Sequence, residues 1–359
     1  MFKYFMDSEI IEKDMQNIYN RNIDLSSLQN KTVLITGATG MLASYLIYFF
    51  IYLNVERNYN IKLLLMVRNI NKCHQKFKTY LDSKMIEVLV DDINKPLEYA
   101  GKIDFIIHTA SLASPQYYES NPVEVAEPNV IATYHLLKFA NEKKISKFLF
   151  FSSGDVYGKL PFDVEDISEN IYGTMDPLDV HSCYGESKRM GETWCSIFSK
   201  EYAVPTSIVR IGHTYAPTMD VNNDPRVFAS FIKCVLNGKD IIMLSDGSAK
   251  RPFCYIADAV AAFILILLKG ENGQAYNMCN TKEFLSIKEL ADLMTKLRPE
   301  LGLKVICKKR RNDDNYLENV LNKSNKPIEI KLKMLGWECQ YDSFSGFNNV
   351  LKYLLQSYL

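Results

Sequence analysis

From Lys31 onward two hydrophobic rhythms take turns along the chain. Continuous apolar runs, "KTVLITG", "IKLLLMVRN", "MIEVLVDDI", "IDFIIHTAS" and "KFLFFSS", are short enough for strands and carry no polar alternation. Between them lie longer stretches with helical spacing, "MLASYLIYFFIYL" and "VIATYHLLKFANEKK". Strands that are apolar on both faces, separated by helices, predict a parallel sheet covered on both sides. The fold class is therefore α/β, a doubly wound parallel sheet.

The flanks follow other patterns. Ile10, Ile11, Met15 and Ile18 repeat at helical spacing, predicting an amphipathic extension over residues 1–29. After about residue 211 polar loops such as "APTMDVNNDPR" and "LSDGSAKRP" intervene, followed by helices in "YIADAVAAFILILLKG" and "LSIKELADLMTKL". The expected organisation is a dinucleotide-binding domain over 30–211, with 253–279 returning to it. A smaller substrate-binding domain takes 212–252 and 280–359. The polar tail "KKRRNDDNYLENVLNKSNK" reads as surface or lid.

Composition narrows the classes of partner. Forty-two basic residues balance forty-two acidic ones over 359 positions, which gives no electrostatic footprint for nucleic acid or an anionic membrane. A small-molecule ligand is the default expectation. Acids interrupt the first residues, "MFKYFMDSEIIEKDMQ", against a secretory signal. The longest apolar run has about 15 residues, short of the roughly 20 that cross a bilayer. Eight scattered cysteines without C-x-x-C pairs, and five histidines without ligand spacing to them, predict reduced cytoplasmic thiols and no metal site. Cys73-His74, the one adjacent pair, reads as part of a surface loop.

Candidate chemistry begins at "TGATGMLA", which follows the first strand and opens the first helix. Gly37 and Gly40 permit a tight turn and close approach to a pyrophosphate at the helix amino terminus, with Ala43 where a third glycine often lies. Thr39, Met41 and Leu42 complete this cofactor loop. After the second strand the dinucleotide fingerprint calls for an acid on the adenosine ribose, but Val67, Arg68 and Asn69 stand there. NAD is the expected cofactor, and NADP stays open because Arg68 suits a 2′-phosphate as well as it suits a solvated surface position. Asp92 and Ile93, after the third strand, are placed for the adenine; Thr109 and Ala110, after the fourth, border the same cleft. His108 beside them reads equally as a cofactor neighbour or a satisfied core histidine.

"SCYGESKRMGETW" sets Tyr184 and Lys188 four residues apart, on one helical face. A neighbouring ammonium stabilises a phenolate, and a tyrosine so tuned takes a proton from a sugar hydroxyl. "FFSSGDVYG" ends the fifth strand with Ser153, Gly154 and Asp155.

Together "TGATGMLA", "SSGDVYG" and "YGESK" resemble the extended short-chain dehydrogenase/reductase superfamily, the nucleotide-sugar epimerases, dehydratases and decarboxylases. Within it "DDINKPL", "HTASLASPQYYESNPVEVAEPNVIAT", "SCYGESKRMGET", "RPFCYIADAV" and the closing "LGW" look most like UDP-glucuronate decarboxylase. The resemblance spans roughly residues 30–340. It implies a Rossmann-like fold, a nucleotide-sugar substrate and a homodimer formed through the helix bearing Tyr184. It further implies catalytic roles for Ser153, Asp155, Tyr184 and Lys188, with Tyr184 and Lys188 also touching the cofactor. Ser114, Tyr117, His213, Arg226 and Arg251 would contact substrate.

Three departures bear on specificity. Gly154 and Asp155 stand where the family often has an acid or serine followed by glutamate; His213 replaces an asparagine; and Glu318 or a neighbour falls where an arginine commonly holds the nucleotide. Gly154 supplies neither acid nor base for eliminating water, so decarboxylation leads, with 4-epimerisation and 4,6-dehydration as alternatives. A dinucleotide-binding protein without catalysis is the alternative of another class.

Overall fold

The computed structural model describes residues 8–81, 83–161, 163–308 and 325–357. Glu318 and most of the polar tail lie outside them. Seven strands form the central sheet: β1 (Thr32–Thr36), β2 (Lys62–Val67), β3 (Ile86–Val90), β4 (Phe105–His108), β5 (Lys147–Ser153), β6 (Thr206–Ile211) and β7 (Gln274–Met278). Their order is β7-β6-β5-β4-β1-β2-β3 and every neighbouring pair is parallel. All carboxyl ends therefore share one edge. Sheet growth reverses between β1 and β4, and a crevice opens at such a switch point.

The solid apolar reading of the strands has its cause in two cores. Val33, Ile35, Leu63, Leu65, Ile107, Leu149 and Phe151 face one core; Leu34, Leu64, Ile106, Phe148 and Phe150 face the other. The first is filled by the helices Met41–Arg57 and Ile256–Lys269, and the second by Thr133–Lys143 and Cys183–Tyr202.

The helix Glu9–Tyr19 forms at the expected spacing, and Ile11, Met15 and Ile18 join the first core. Its buried Asp14 accepts hydrogen bonds from the phenols of Tyr45, Tyr255 (2.6 Å) and Tyr341 (3.0 Å). Just beyond the helix, Arg21 pairs with buried Asp258 at 2.7 Å.

Beyond β6 the chain builds short paired strands. Thr214–Tyr215 lies beside Cys254–Tyr255, Lys250–Arg251 beside Leu285–Ser286, and Ile241–Met243 beside Val305–Cys307. The helix Ile287–Thr295 starts at a capping box between Ser286 and Glu289.

Cys73 and His74 correct the expectation of a loop. They lie on the helix Ile70–Leu81, with Cys73 fully buried and His74 exposed. That helix turns only Cys73, Phe77 and Tyr80 inward, so its sequence is too polar to show an apolar stripe. All eight cysteines are free thiols. Among the described residues no helix is long and apolar enough to cross a membrane, and no cluster of His, Cys, Asp and Glu is arranged to hold a metal.

Candidate active site

β1 delivers the glycine loop to the switch point. Gly37 has φ +64°, and a Cβ on it would lie 2.7 Å from the Ala110 Cα, so only glycine fits where the ends of β1 and β4 meet. The two ends are tied further by Thr109 Oγ1 donating to the Thr36 carbonyl at 2.6 Å. His108 resolves as a core histidine: its Nδ1 lies 2.8 Å from Thr36 Oγ1 and its Nε2 2.9 Å from the Pro128 carbonyl. With the Nε2 donating, the Nδ1 accepts, and burial holds the ring neutral with a pKa pushed down to about 3.

The residues around this loop fit a dinucleotide. Gly40 caps a 17-residue helix with no side-chain bond, leaving its first N–H groups open to an anion. Across the crevice, Ser111 and Ser114 carry buried hydroxyls without a hydrogen-bond partner among the described residues. Met41 and Leu42 start the helix against the core, Ile93 is buried in the second core, and Asp92 is exposed after β3.

β5 ends at Ser153, whose Oγ accepts the Asp155 N–H at 3.2 Å and caps the turn Gly154–Tyr157. The Ser153 hydroxyl lies near enough to the Tyr184 phenol to lower its pKa. One turn along the same helix, Lys188 lies 5.7 Å from the Tyr184 ring centre and donates to the Phe151 carbonyl at 2.6 Å. Serine, tyrosine and lysine thus converge at one strand end, as the spacing predicts.

The electrostatics differ from the simple expectation of an ammonium lowering a phenol. Burial raises the Tyr184 pKa well above its ordinary value; Asp155 raises it further, while Ser153 and Arg226 oppose. Burial also pushes Lys188 down to about 7, against the pull of Glu192 and Asp155. Both groups favour their neutral forms in a dry site.

At the mouth, Asp155 is raised by desolvation among the surrounding atoms and drawn back by Arg251 and Lys188. His213 is lowered to about 3 by desolvation, then by Arg251 and Arg226. Both side chains keep accessible surface, and a ligand that displaces water from them deepens the desolvation. Arg226 is steered by Asp224, with contacts of 2.6 and 2.9 Å, and donates to the Thr214 carbonyl at 3.2 Å. Arg251 donates to the Lys250 carbonyl.

Of the adjacent Tyr117 and Tyr118, which the sequence offers equally as pocket lining or loop packing, one meets the catalytic tyrosine, and a network behind Lys188 escaped the sequence reading. Tyr117 begins a one-turn helix, but it is Tyr118 whose ring stacks on Tyr184, with centroids 5.2 Å apart and planes 15° apart. Behind Lys188, Glu192 receives Ser152 Oγ (2.5 Å) and both ends of the Arg210 guanidinium (2.7 and 3.0 Å). Arg210 also donates to Tyr157 Oη at 3.0 Å. The polar spacing of Glu192, four residues after Lys188, is the only trace of this network in the sequence.

Gly154 is a different case from Gly37. It has no positive φ, and a Cβ there would meet only the Ile211 carbonyl at 3.9 Å. The backbone would accept a side chain, so its absence is a matter of chemistry.

Fold and site together define a member of the extended short-chain dehydrogenase/reductase superfamily, with the glycine loop, the strand-end serine and the Tyr-x-x-x-Lys pair in one crevice. The model of the NAD dependent epimerase/dehydratase family matches residues 33–279, and the chain belongs to that family. It is 30% identical to UDP-glucuronic acid decarboxylase 6 of Arabidopsis thaliana, over 86% of this chain and 84% of that protein. It is 29% identical to UDP-glucuronic acid decarboxylase 1 of Xenopus tropicalis, over 92% and 73%. In fold it resembles UDP-glucose 4-epimerase of Thermotoga maritima solved with UDP-glucose, with TM-score 0.75, 20% identity, and 91% and 100% of the two chains covered. It also resembles dTDP-glucose 4,6-dehydratase of Bacillus anthracis solved with NAD, with TM-score 0.72, 20% identity, and 91% and 97% covered.

Proposed function

We propose that this chain decarboxylates a nucleotide-linked uronic acid, as its relatives named UDP-glucuronic acid decarboxylase do, holding its nicotinamide dinucleotide through the cycle. Its family makes it a nucleotide-sugar-modifying enzyme. The observation that carries the reading is the convergence of Ser153, at the end of β5, with Tyr184 and with Lys188 one turn behind it.

Bound in the crevice, the dinucleotide would accept hydride from carbon 4 of the sugar and return it at the end. Tyr184 takes the proton of the carbon 4 hydroxyl as a phenolate, a form that the positive nicotinamide ring and a protonated Lys188 would favour once the dinucleotide is bound, with Ser153 orienting both oxygens. The product is a β-keto acid. When its carboxylate leaves as carbon dioxide, the bonding pair moves into an enolate whose oxygen rests on Tyr184 and Ser153, both already aimed at that position. Asp155, raised toward its protonated form, supplies the proton to carbon 5. Arg226 and Arg251 flank the cleft on the substrate side, where they match the diphosphate or the carboxylate. His213 stays neutral between them and offers one donor and one acceptor to the sugar.

The bare Gly154 is as open to a keto sugar turning over in the site, which makes 4-epimerisation the second reading. Incubation with UDP-glucuronate, UDP-glucose, dTDP-glucose and GDP- and CDP-sugars separates the chemistries. Loss of carbon dioxide supports the first reading, loss of water overturns it, and an unchanged mass with an inverted carbon 4 by NMR selects the second. Tyr184→Phe should lower turnover by about 10³-fold while dinucleotide still binds; full activity would sink the mechanism.

Support for a homodimer comes from exposed apolar side chains on helices that pack together beside the site. Val123, Ile131 and Ile197 are 65%, 41% and 36% exposed, on Pro122–Ala132 and Cys183–Tyr202.

A further inference from the structure

The crevice has a second end, on the side of β1 away from Ser153, where β2 and β3 finish. In folds of this kind the residue closing β2 is an acid that accepts both adenosine ribose hydroxyls. Here β2 closes without a carboxylate. β2 ends at Val67, and Arg68 follows it, exposed and making no hydrogen bond or ion pair with a described residue. Asn69 is occupied as a cap, its Oδ1 accepting the Lys72 N–H at 3.2 Å. The acids after β3 are turned to their own loop. Asp91 Oδ1 accepts the Asp92 N–H at 2.7 Å, and Asp92 Oδ1 accepts the Asn94 N–H at 3.1 Å.

A second cation reaches the same end from the helix Ile70–Leu81. Lys76 donates to the Thr39 carbonyl at 3.0 Å and to Ser44 Oγ at 3.2 Å, which presses its ammonium against the outer side of the glycine loop. It forms no ion pair with a described carboxylate, and burial pulls its pKa down to about 8. An ammonium with three donors has one left after these two bonds. Largely shielded from water and without a counter-charge, it gains from an anion brought to the loop. Arg68 supplies the planar fork that fits a phosphate bidentately.

We propose that the adenosine end of the crevice is built for a 2′-phosphate, with Arg68 and Lys76 as its partners, so that NADP binds in preference to NAD. The inference rests on the reading that the glycine loop holds a nicotinamide dinucleotide, and departs from the family description only in the 2′ substituent. Two cationic partners replace two ribose hydrogen bonds, and the contact weakens with added salt.

Calorimetric titration of the full chain, freed of nucleotide, tests it with NAD, NADP, 5′-AMP and adenosine 2′,5′-bisphosphate. NADP should bind at least about tenfold tighter than NAD, and the bisphosphate tighter than AMP, as charge-assisted hydrogen bonds of this kind require. Arg68→Asp should reverse the order, because it restores the ribose acceptor and repels the phosphate. Lys76→Gln should weaken NADP more than NAD; since Lys76 also props the loop, its circular dichroism is checked, and exposed Arg68 provides the variant that keeps its fold. Tighter NAD binding in the unaltered chain, or an unchanged ratio in Arg68→Asp, overturns the proposal while leaving the decarboxylase reading intact. Failure of every nucleotide to bind overturns both.

Discussion

Lys188 holds a buried amine against the Phe151 carbonyl at 2.6 Å, and its pKa falls from 10.5 to about 7. Between those values the unfolded chain binds a proton that the folded chain does not. The contribution to stability is therefore lost as pH falls through about 7 and gained toward alkaline pH. Denaturant unfolding at pH 7 and pH 9 should show the native chain gaining on Lys188→Met; equal changes in the two would refute the shift. Gly154→Ala tests the neighbouring vacancy. With no positive φ and no close contact, alanine should raise stability by about 0.4–1 kcal/mol through the unfolded state, and a lowered melting temperature would show a hidden clash. Tyr184, Lys188 and Ser153 were legible because their spacing and the strand end are local facts. The Glu192–Arg210–Ser152 network was not, since its members are brought together only by pairing β5 with β6.

At the scale of elements, the helix Glu9–Tyr19 is held by a carboxylate that three tyrosines share. Burial, more than the three phenols can offset, raises Asp14 from 3.8 to about 6, with Asp258 adding to the rise. A carboxyl raised on folding stabilises fully below its unfolded pKa, and that contribution is lost as pH rises through about 6. Its size is about 3 kcal/mol. Thermal unfolding from pH 4 to 7.5 should show the native chain losing stability relative to Asp14→Asn across that window, and parallel curves would contradict it. The spacing of Ile10, Ile11, Met15 and Ile18 announced this helix, but nothing local announced that it would lie against Ile256–Lys269. The helix Ile70–Leu81 was hidden for a different reason. Its few inward residues are interrupted at Phe77, whose φ of −123° leaves the helical region.

For the whole molecule, the strand-helix alternation made the sheet legible through β5, because β1, β2, β4 and β5 are apolar runs buried on both faces, while β3 at the edge keeps enough of the pattern despite Glu87. β7 could not be read, since "QAYNM" is short and joins the sheet only by lying beside β6. The proposed dimer is checked at the same scale. Val123→Glu with Ile197→Glu should shift sedimentation from dimer to monomer, and an unaltered dimer would place the interface elsewhere. The bonds that tie the first helix to the far end of the chain, Asn17 to Gln340 at 2.9 Å and Tyr341 to Asp14 at 3.0 Å, also set an order of events during synthesis. A nascent chain emerging from the ribosome can assemble β1 to β5 early, yet its first helix must wait for residues made near the end of translation. Until then Asp14 lacks the Tyr341 and Tyr255 phenols, and the leading segment stays open to proteases and chaperones.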